Sequence, residues 1–325
     1  MQGKEVSEQE TRNCTAGIDV SKSWLDAHVL PVAQSLRVAN TTAGLRQLKR
    51  WLLRLKVERV VVEATGKWHR QAVRSLRASA ITIGVVDPYR VRMFAKAQGI
   101  VAKTDRLDAK VLAMFAAVMS FDIRQDVPQA LEAMQELVTA RAGAVDEQVA
   151  LKNQRSAAEQ PFLKRQFERR IHQLDTHIQA IEKECLRQIK ADPALARRFA
   201  ILTSVPSFGP VVAITLIACL GELGSLSDKQ VAALGGLAPV ANDSGQRIGP
   251  RVIWGGRAAV RRILYLAAVS AKSCNNDMKP FYQRLIANGK KPKQALIAVA
   301  RKLLVLANIL IAKDRLWMQS APKSA

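Results

Sequence analysis

Residues 104–110 read T-D-R-L-D-A-K, and the chain is organised around them. Asp105 and Asp108 stand at the head of Val111 to Met119, an apolar, Ala-rich run without Gly or Pro. That pattern predicts a helix. Residues three apart share one helix face, so the two carboxylates point the same way. Like charges that close repel unless a cation lies between them or one is protonated. Mg²⁺ takes oxygen ligands and needs few carboxylates, so a divalent metal is one reason to keep such a pair. Alone, the pair suits an ordinary helix start equally well. Asp is favourable in a first turn, and Thr104 or Asp105 is a candidate cap.

Working back from this stretch, Ile81 to Val86 is an apolar strand closed by Asp87-Pro88, with Asp87 read as turn chemistry. Trp68 to Ala78 predicts a helix. Before it, R-V-V-V-E (59–63) followed by A-T-G reads as a buried parallel-type strand with Glu63 at its tip. Thr41 to Leu55 carries a helical period through Leu45, Leu48, Trp51, Leu52 and Leu55, with Thr41 or Thr42 as cap. Ala16 to Val20 and Leu25 to Leu30 are two strands joined by a short turn. Asp19 interrupts the first. A buried, unpaired charge is costly, so Asp19 belongs at an exposed strand end or facing a ligand. Asp26 and His28 are expected to be outward members of the second strand. The order is strand, strand, helix, strand, helix, strand, helix. Open α/β sheets place their sites at strand tips. Asp19, Glu63, Asp105 and Asp108 can therefore converge. Four such acids suit two Mg²⁺ ions about 4 Å apart, acting on phosphorus.

The segments G-I-D-V-S-K, V-E-A-T-G and K-T-D-R-L-D-A resemble the RuvC-like (RNase H-like) domain of DEDD-type insertion-sequence transposases. These are the Piv-invertase-like, bridge-RNA-guided recombinases. The resemblance spans about residues 16–313. It implies that Asp19, Glu63, Asp105 and Asp108 are the four metal-binding catalytic acids, with one or two Mg²⁺.

Fifty Lys and Arg face 27 Asp and Glu, a formal charge of +23. Spread along the chain, that surplus predicts an extended surface for a polyanion, because phosphate neutralisation dominates nucleic-acid affinity. An anionic membrane surface is the competing partner. Cys14, Cys185, Cys219 and Cys274 form no C-x-x-C pair and no zinc spacing with the four histidines, which suits free thiols in a reducing compartment. The polar N-terminus is no signal peptide, and Val211 to Leu220, the longest apolar run, is too short to span a bilayer. A cytoplasmic bacterial protein without membrane contact is expected.

Residues 1–14 are expected to be flexible and 15–127 to form the RuvC-like domain. Residues 128–199 read as a coiled-coil hairpin, with Leu131, Met134, Val138, Ala142, Val145 and Val149 answered by Phe167, Ile171, Leu174, Ile178, Ile181 and Cys185 across a break near Pro161. Its charges suit a solvated spacer, or a dimerisation arm touching nucleic acid. His172 and His177 are assigned no chemistry.

Residues 200–325 form a mostly α-helical domain. L-T-S-V-P-S-F-G-P (202–210) suits either a helix-hairpin-helix turn over a phosphate or a plain packing corner. The family usually places Gly where this chain has Ser207. Ser227 to Leu234 reads as a capped helix ended by G-G-L-A-P, and Asn242 to Arg257 as a Gly-rich basic loop. Within it Ser244 is ordinary turn chemistry by its residues alone. The resemblance, in G-L-A-P…D-S-G…G-G-R…R-R-I-L-Y, implies that Ser244 is the nucleophile forming a phosphoserine link. The family often carries Lys where Trp254-Gly255 stand here. Arg247, Arg251, Arg257, Arg261, Arg262, Lys290 and Lys291 are candidate nucleic-acid contacts.

The expected function is that of an insertion-sequence transposase. It would cut and rejoin donor and target DNA through Ser244, guided by a non-coding bridge RNA, as a homodimer assembling to a tetramer. Two rivals stand beside it: a hydrolytic RuvC-like nuclease or junction resolvase, and a non-catalytic RNA- or DNA-binding protein.

Overall fold

A computed structural model describes residues 14–64, 66–79, 81–100, 104–121, 128–241, 243–245, 249 and 251–318, with the side chains of Asp105 and Arg106 excluded. The expected flexible segment 1–14 falls outside it up to residue 13. The chain divides into two units between residues 126 and 127.

In the first unit β1 (Cys14–Val20), β2 (Trp24–Leu30) and β3 (Gln34–Ala39) precede α1 (Thr42–Arg54), β4 (Val57–Glu63), α2 (His69–Arg77), β5 (Thr82–Val86), α3 (Pro88–Ala97) and α4 (Asp105–Val118). The sheet runs β3-β2-β1-β4-β5. β1, β2 and β3 pair antiparallel, and β1-β4-β5 are parallel. Alternation sends Ala16, Ile18, Val60 and Val62 to one face, where they meet Leu45, Leu48 and Leu52 of α1 and Val73 and Leu76 of α2. Val61 and Val86 face the other way, onto Val91 of α3 and Leu112 and Phe115 of α4. Each large apolar side chain so buried contributes about 1.5–3 kcal/mol.

Three features depart from expectation. β3 was not legible as a strand: Q-S-L-R-V-A is polar, and only Val38 within it is buried. Pro88 does not merely close β5. It opens α3 at the first helical position, where no N–H is needed, and the Asp87 carboxylate accepts from the Tyr89 N–H at 2.8 Å. Asp26 and His28 do not point outward; each is only 8% exposed. α4 covers their face of β2, so this strand is buried on both sides.

In the second unit α5 (Gln129–Ala157) and α6 (Pro161–Ala191) form an antiparallel pair. Arg141 meets Glu182 at 2.7 Å, Arg170 meets Glu147 at 2.8 Å, and Arg155 meets Glu168 at 3.6 Å. The buried stripe on α5 runs through Met134, Val138, Ala144, Gln148 and Leu151. Val149, expected on the seam, is 49% exposed, and the polar Gln148 is buried instead. A straight helix drifts against a strict heptad, which is how a regular three-four count slips by one residue over four turns.

α7 (Pro193–Thr203), α8 (Pro210–Cys219), α9 (Asp228–Leu234), β6 (Pro239–Val240), β7 (Val252–Ile253), α10 (Ala258–Cys274), α11 (Met278–Ala287) and α12 (Pro292–Ala312) follow. They share one core with the root of the hairpin: Met134, Val138, Cys185 and Ile189 pack in the same cluster as Phe208, Leu216, Leu264 and Leu303. By length and composition α12 is apolar enough to cross a membrane, but half of its apolar window is buried inside this core.

Candidate active site

The first unit's site follows from how α4 lies on β1. A Cβ at position 17 would overlap the Ala109 carbonyl, the Ala113 amide nitrogen and the Leu112 Cβ, so only Gly lets the helix approach this closely. Two residues earlier, the Thr15 hydroxyl donates to the Ala113 carbonyl at 3.2 Å. The helix therefore runs back along the strand. Two strand residues advance about 6.6 Å and four helical residues about 6 Å, so the two repeats stay in step. Thr15 meets Ala113, and Gly17 meets Ala109 and Ala113, so α4 runs toward its N-terminal head as β1 runs toward Asp19.

Asp19 is half-buried and turned toward α4, on the same face as Thr15 and Gly17. Glu63 is the last residue of β4, half-buried, one step beyond the Ile18–Val62 pair. It shares its face with Val61, again on the α4 side. Thr104 caps α4 by accepting from the Leu107 N–H at 3.3 Å, while the Asp108 N–H donates to the Thr104 carbonyl at 2.8 Å. Of the two cap candidates, Thr104 performs the role. The Asp105 side chain lies outside the described residues.

Asp19, Glu63 and the helix head carrying Asp105 and Asp108 thus share one end and one face of the sheet. Their donors are hard carboxylate oxygens, which suit Mg²⁺ and not a soft metal. Among the described residues no three acidic, His or Cys side chains stand close enough together to hold an ion. The backbone sets the positions; the closed ligand geometry is not formed by the described side chains.

The sequence reading missed the continuation of this row. Asp26 pairs in register with Asp19, and Arg37 with Asp26. The Arg37 guanidinium lies 3.6 Å from the Asp26 carboxylate. Position 26 alternates with Leu25 and Ala27, and the face it takes is covered by α4 and not by solvent. His28 is also under α4. Its Nδ1 lies 2.8 Å from the Ser35 hydroxyl, and burial, then Lys110, push its pKa below the ordinary value.

In the second unit Ser244 sits between β6 and β7, which pair Pro239 with Ile253 and Val240 with Val252. The basic loop is thus the connection of a short hairpin. Ser244 is exposed. Beside it the Asp243 carboxylate accepts from the Gly249 N–H at 3.0 Å and from Arg251 at 2.5 Å. Hydrogen bonding to Arg251 holds the Asp243 carboxyl below the usual range. At the base of the loop Gly236 and Gly256, both at positive φ, meet backbone on backbone.

Several candidate phosphate contacts already have acceptors in this unit. Arg257 makes two 2.6 Å bonds to Glu222 and donates to the Cys219 carbonyl at 2.8 Å. Arg262 is bidentate on Asp146, and Arg261 donates to the Gly255 carbonyl at 2.6 Å. Lys290 and Lys291 are exposed in the turn between α11 and α12. Arg247 lies outside the described residues.

Two protein-family models match the chain. One, described as Transposase and of the DEDD IS110 type, matches residues 16–159. The other, described as Transposase IS116/IS110/IS902 family, matches residues 199–283. The pilin gene-inverting protein of Moraxella bovis is 25% identical over 309 residues, covering 92% of this chain and 96% of that protein. Its counterpart in Moraxella lacunata matches at the same identity and coverage. An uncharacterized protein of insertion element IS116 in Streptomyces clavuligerus is 27% identical over 154 residues, 46% of this chain and 37% of that protein.

Proposed function

The chain belongs to the DEDD transposase family of IS110-type insertion elements, enzymes that cut and rejoin DNA, and from that premise we propose that it works through a phosphoserine link on Ser244. In this reading the first unit is RuvC-like, and Asp19, Glu63, Asp105 and Asp108 hold one or two Mg²⁺. The observation that supports it is the close packing of α4 on β1 at Gly17 and Thr15, which runs the acidic head of the helix toward the end of β1 that carries Asp19.

A divalent cation held by Asp19, Glu63, Asp105 and Asp108 would supply positive charge to offset the charge that develops in phosphoryl transfer. The remaining work falls to the chain. The Ser244 hydroxyl gives up its proton and its Oγ forms a bond to phosphorus, while the bond from phosphorus to a deoxyribose oxygen breaks. That oxygen leaves with a proton. A hydroxyl of a second strand then attacks the same phosphorus, and Oγ departs protonated. No phosphodiester energy is lost to water. A serine hydroxyl is a weak nucleophile at neutral pH and needs such activation. Asp243, tied to Gly249 and Arg251, orients the loop that presents it.

The reading extends to a non-coding bridge RNA that selects donor and target DNA by base pairing, and to a dimer that pairs into a tetramer. The +23 charge supports a protein that holds several phosphate backbones.

A trapping assay tests it. Protein, the transcript of the non-coding DNA flanking its gene, Mg²⁺ and labelled donor and target duplexes are mixed and run on a denaturing gel. Label that migrates with the protein, and vanishes with Ser244→Ala and without the RNA, is expected. Free cleaved DNA from either variant, with no adduct, would establish a hydrolytic nuclease instead.

A further inference from the structure

Tryptophan is rarely left in water, because its large ring gains so much from burial. Two tryptophans at the acidic end of the sheet are nevertheless exposed: Trp24 at 46% and Trp68 at 38%. Trp24 opens β2 on the face of Asp26, hence on the face of Asp19, Glu63 and α4. The Arg37 guanidinium lies over its ring at 5.3 Å.

Trp68 follows β4 by five residues. Asn40 fixes its place, donating to the Ser21 carbonyl at 2.9 Å and to the Trp68 carbonyl at 3.4 Å. Ser21 is two residues past Asp19, so Trp68 borders the same strand ends. Lys22 and Lys67 face its ring at 5.9 and 5.6 Å.

We propose that Trp24 and Trp68 form a stacking rim for unpaired bases of the DNA strand being cut, with Arg37, Lys22 and Lys67 receiving its phosphates. The proposal rests on the reading of Asp19 and Glu63 as the metal-holding end. Each ring is exposed and faced by a cation, a combination that suits a polyanion carrying flat bases. A base that stacks on either ring displaces a cation toward the adjoining phosphate, so both contacts form together. Bases inside a duplex have no free face to offer, so the rim selects unpaired DNA. Stacking of this kind is sequence-tolerant, since every base has a π-face. It would hold a strand across the acids without dictating where the cut falls.

The test is fluorescence anisotropy on the full-length protein in EDTA, using a labelled unpaired oligodeoxynucleotide, its duplex, and an RNA of the same sequence. Without metal no bond is cut, so the outcome is independent of the four acids and of Ser244. Failure of the phosphoserine reading would leave this result standing. Trp24→Ala and Trp68→Ala are each expected to weaken binding of unpaired DNA about tenfold. Trp→Phe variants should restore most of the loss, and duplex affinity should change by less than about twofold. Alanine variants that bind unpaired DNA like the parent would overturn the proposal. So would an equal loss on the duplex, or a loss confined to RNA.

Discussion

Gly17 of β1 packs against the backbone of α4, where the Ala109 carbonyl and the Ala113 amide nitrogen occupy the space a Cβ at position 17 would need. This contact sets how closely α4, with its acidic head, approaches β1. Gly17→Ala should force α4 outward and destabilise the first unit by about 2–3 kcal/mol, read as a lower urea midpoint. Gly143 is the control: it is mid-helix in α5 with open space around it. Gly143→Ala should instead stabilise by up to about 1 kcal/mol through helix propensity. If Gly17→Ala and Gly143→Ala behave alike, the close approach of α4 to β1 is not what holds the acids.

Burial, and then the charge of Lys110, lower the pKa of His28. Its folded pKa therefore lies below the unfolded value of 6.5. As pH falls below that value the unfolded chain binds a proton that the folded chain refuses, and stability is lost until the folded pKa is reached. The wild-type urea midpoint should fall as pH drops below about 6.5, by at most about 1.4 kcal/mol per pH unit. His28→Gln, which can keep a hydrogen bond to Ser35, should start lower at pH 8 and decline less across that window. Parallel curves for the two proteins would remove His28 as the titrating group.

Arg257 distinguishes an internal cation from a phosphate contact. With both its terminal nitrogens on Glu222 and one also on the Cys219 carbonyl, it ties the Ser244 hairpin's exit to the end of α8. Arg257→Ala should cost about 1–2 kcal/mol of stability. It should leave the slope of log affinity against log salt for DNA unchanged. Lys290→Ala, in an exposed basic turn, should do the reverse: unchanged stability and a slope smaller by about one unit. A slope change with Arg257→Ala would show that the guanidinium leaves Glu222 for DNA.

Most of the first unit was legible because its signals are local. β-branched runs, two Thr caps and a Glu at a strand tip specify β4, α1 and α4 without reference to the rest. What escaped depends on neighbours. β3 has little apolar pattern because it is an edge strand, and Asp26 and His28 look like solvent-facing alternates until α4 is laid over them. The hairpin β6–β7 offers only two residues a side, too short for any period to register. Four acidic positions were readable as residue types, and Gly17 stood in the G-I-D-V-S-K motif, but that it is the contact on which α4 lies needed the fold. The arginines show the opposite limit: a basic loop reads as a phosphate site, while Arg251, Arg257 and Arg262 turn to Asp243, Glu222 and Asp146.

Ser207, between α7 and α8, has φ 88°, a conformation that favours glycine. Its Oγ is buried and has no hydrogen-bond partner among the described residues. The backbone strain costs about 1–2 kcal/mol, and an unsatisfied buried hydroxyl costs about 1–3 kcal/mol. Ser207→Gly removes both, against at most about 1 kcal/mol of added freedom in the unfolded chain. It should therefore stabilise the second unit by about 1 kcal/mol or more, seen as a higher unfolding midpoint. Ser207→Val should destabilise it, because a β-branched side chain tolerates this φ worst of all. Were Ser207→Gly to lose DNA affinity while gaining stability, the buried hydroxyl would be held for a phosphate at the α8 N-terminus. Unchanged affinity would make this corner a packing element, with Phe208 beside it as the anchor in the core.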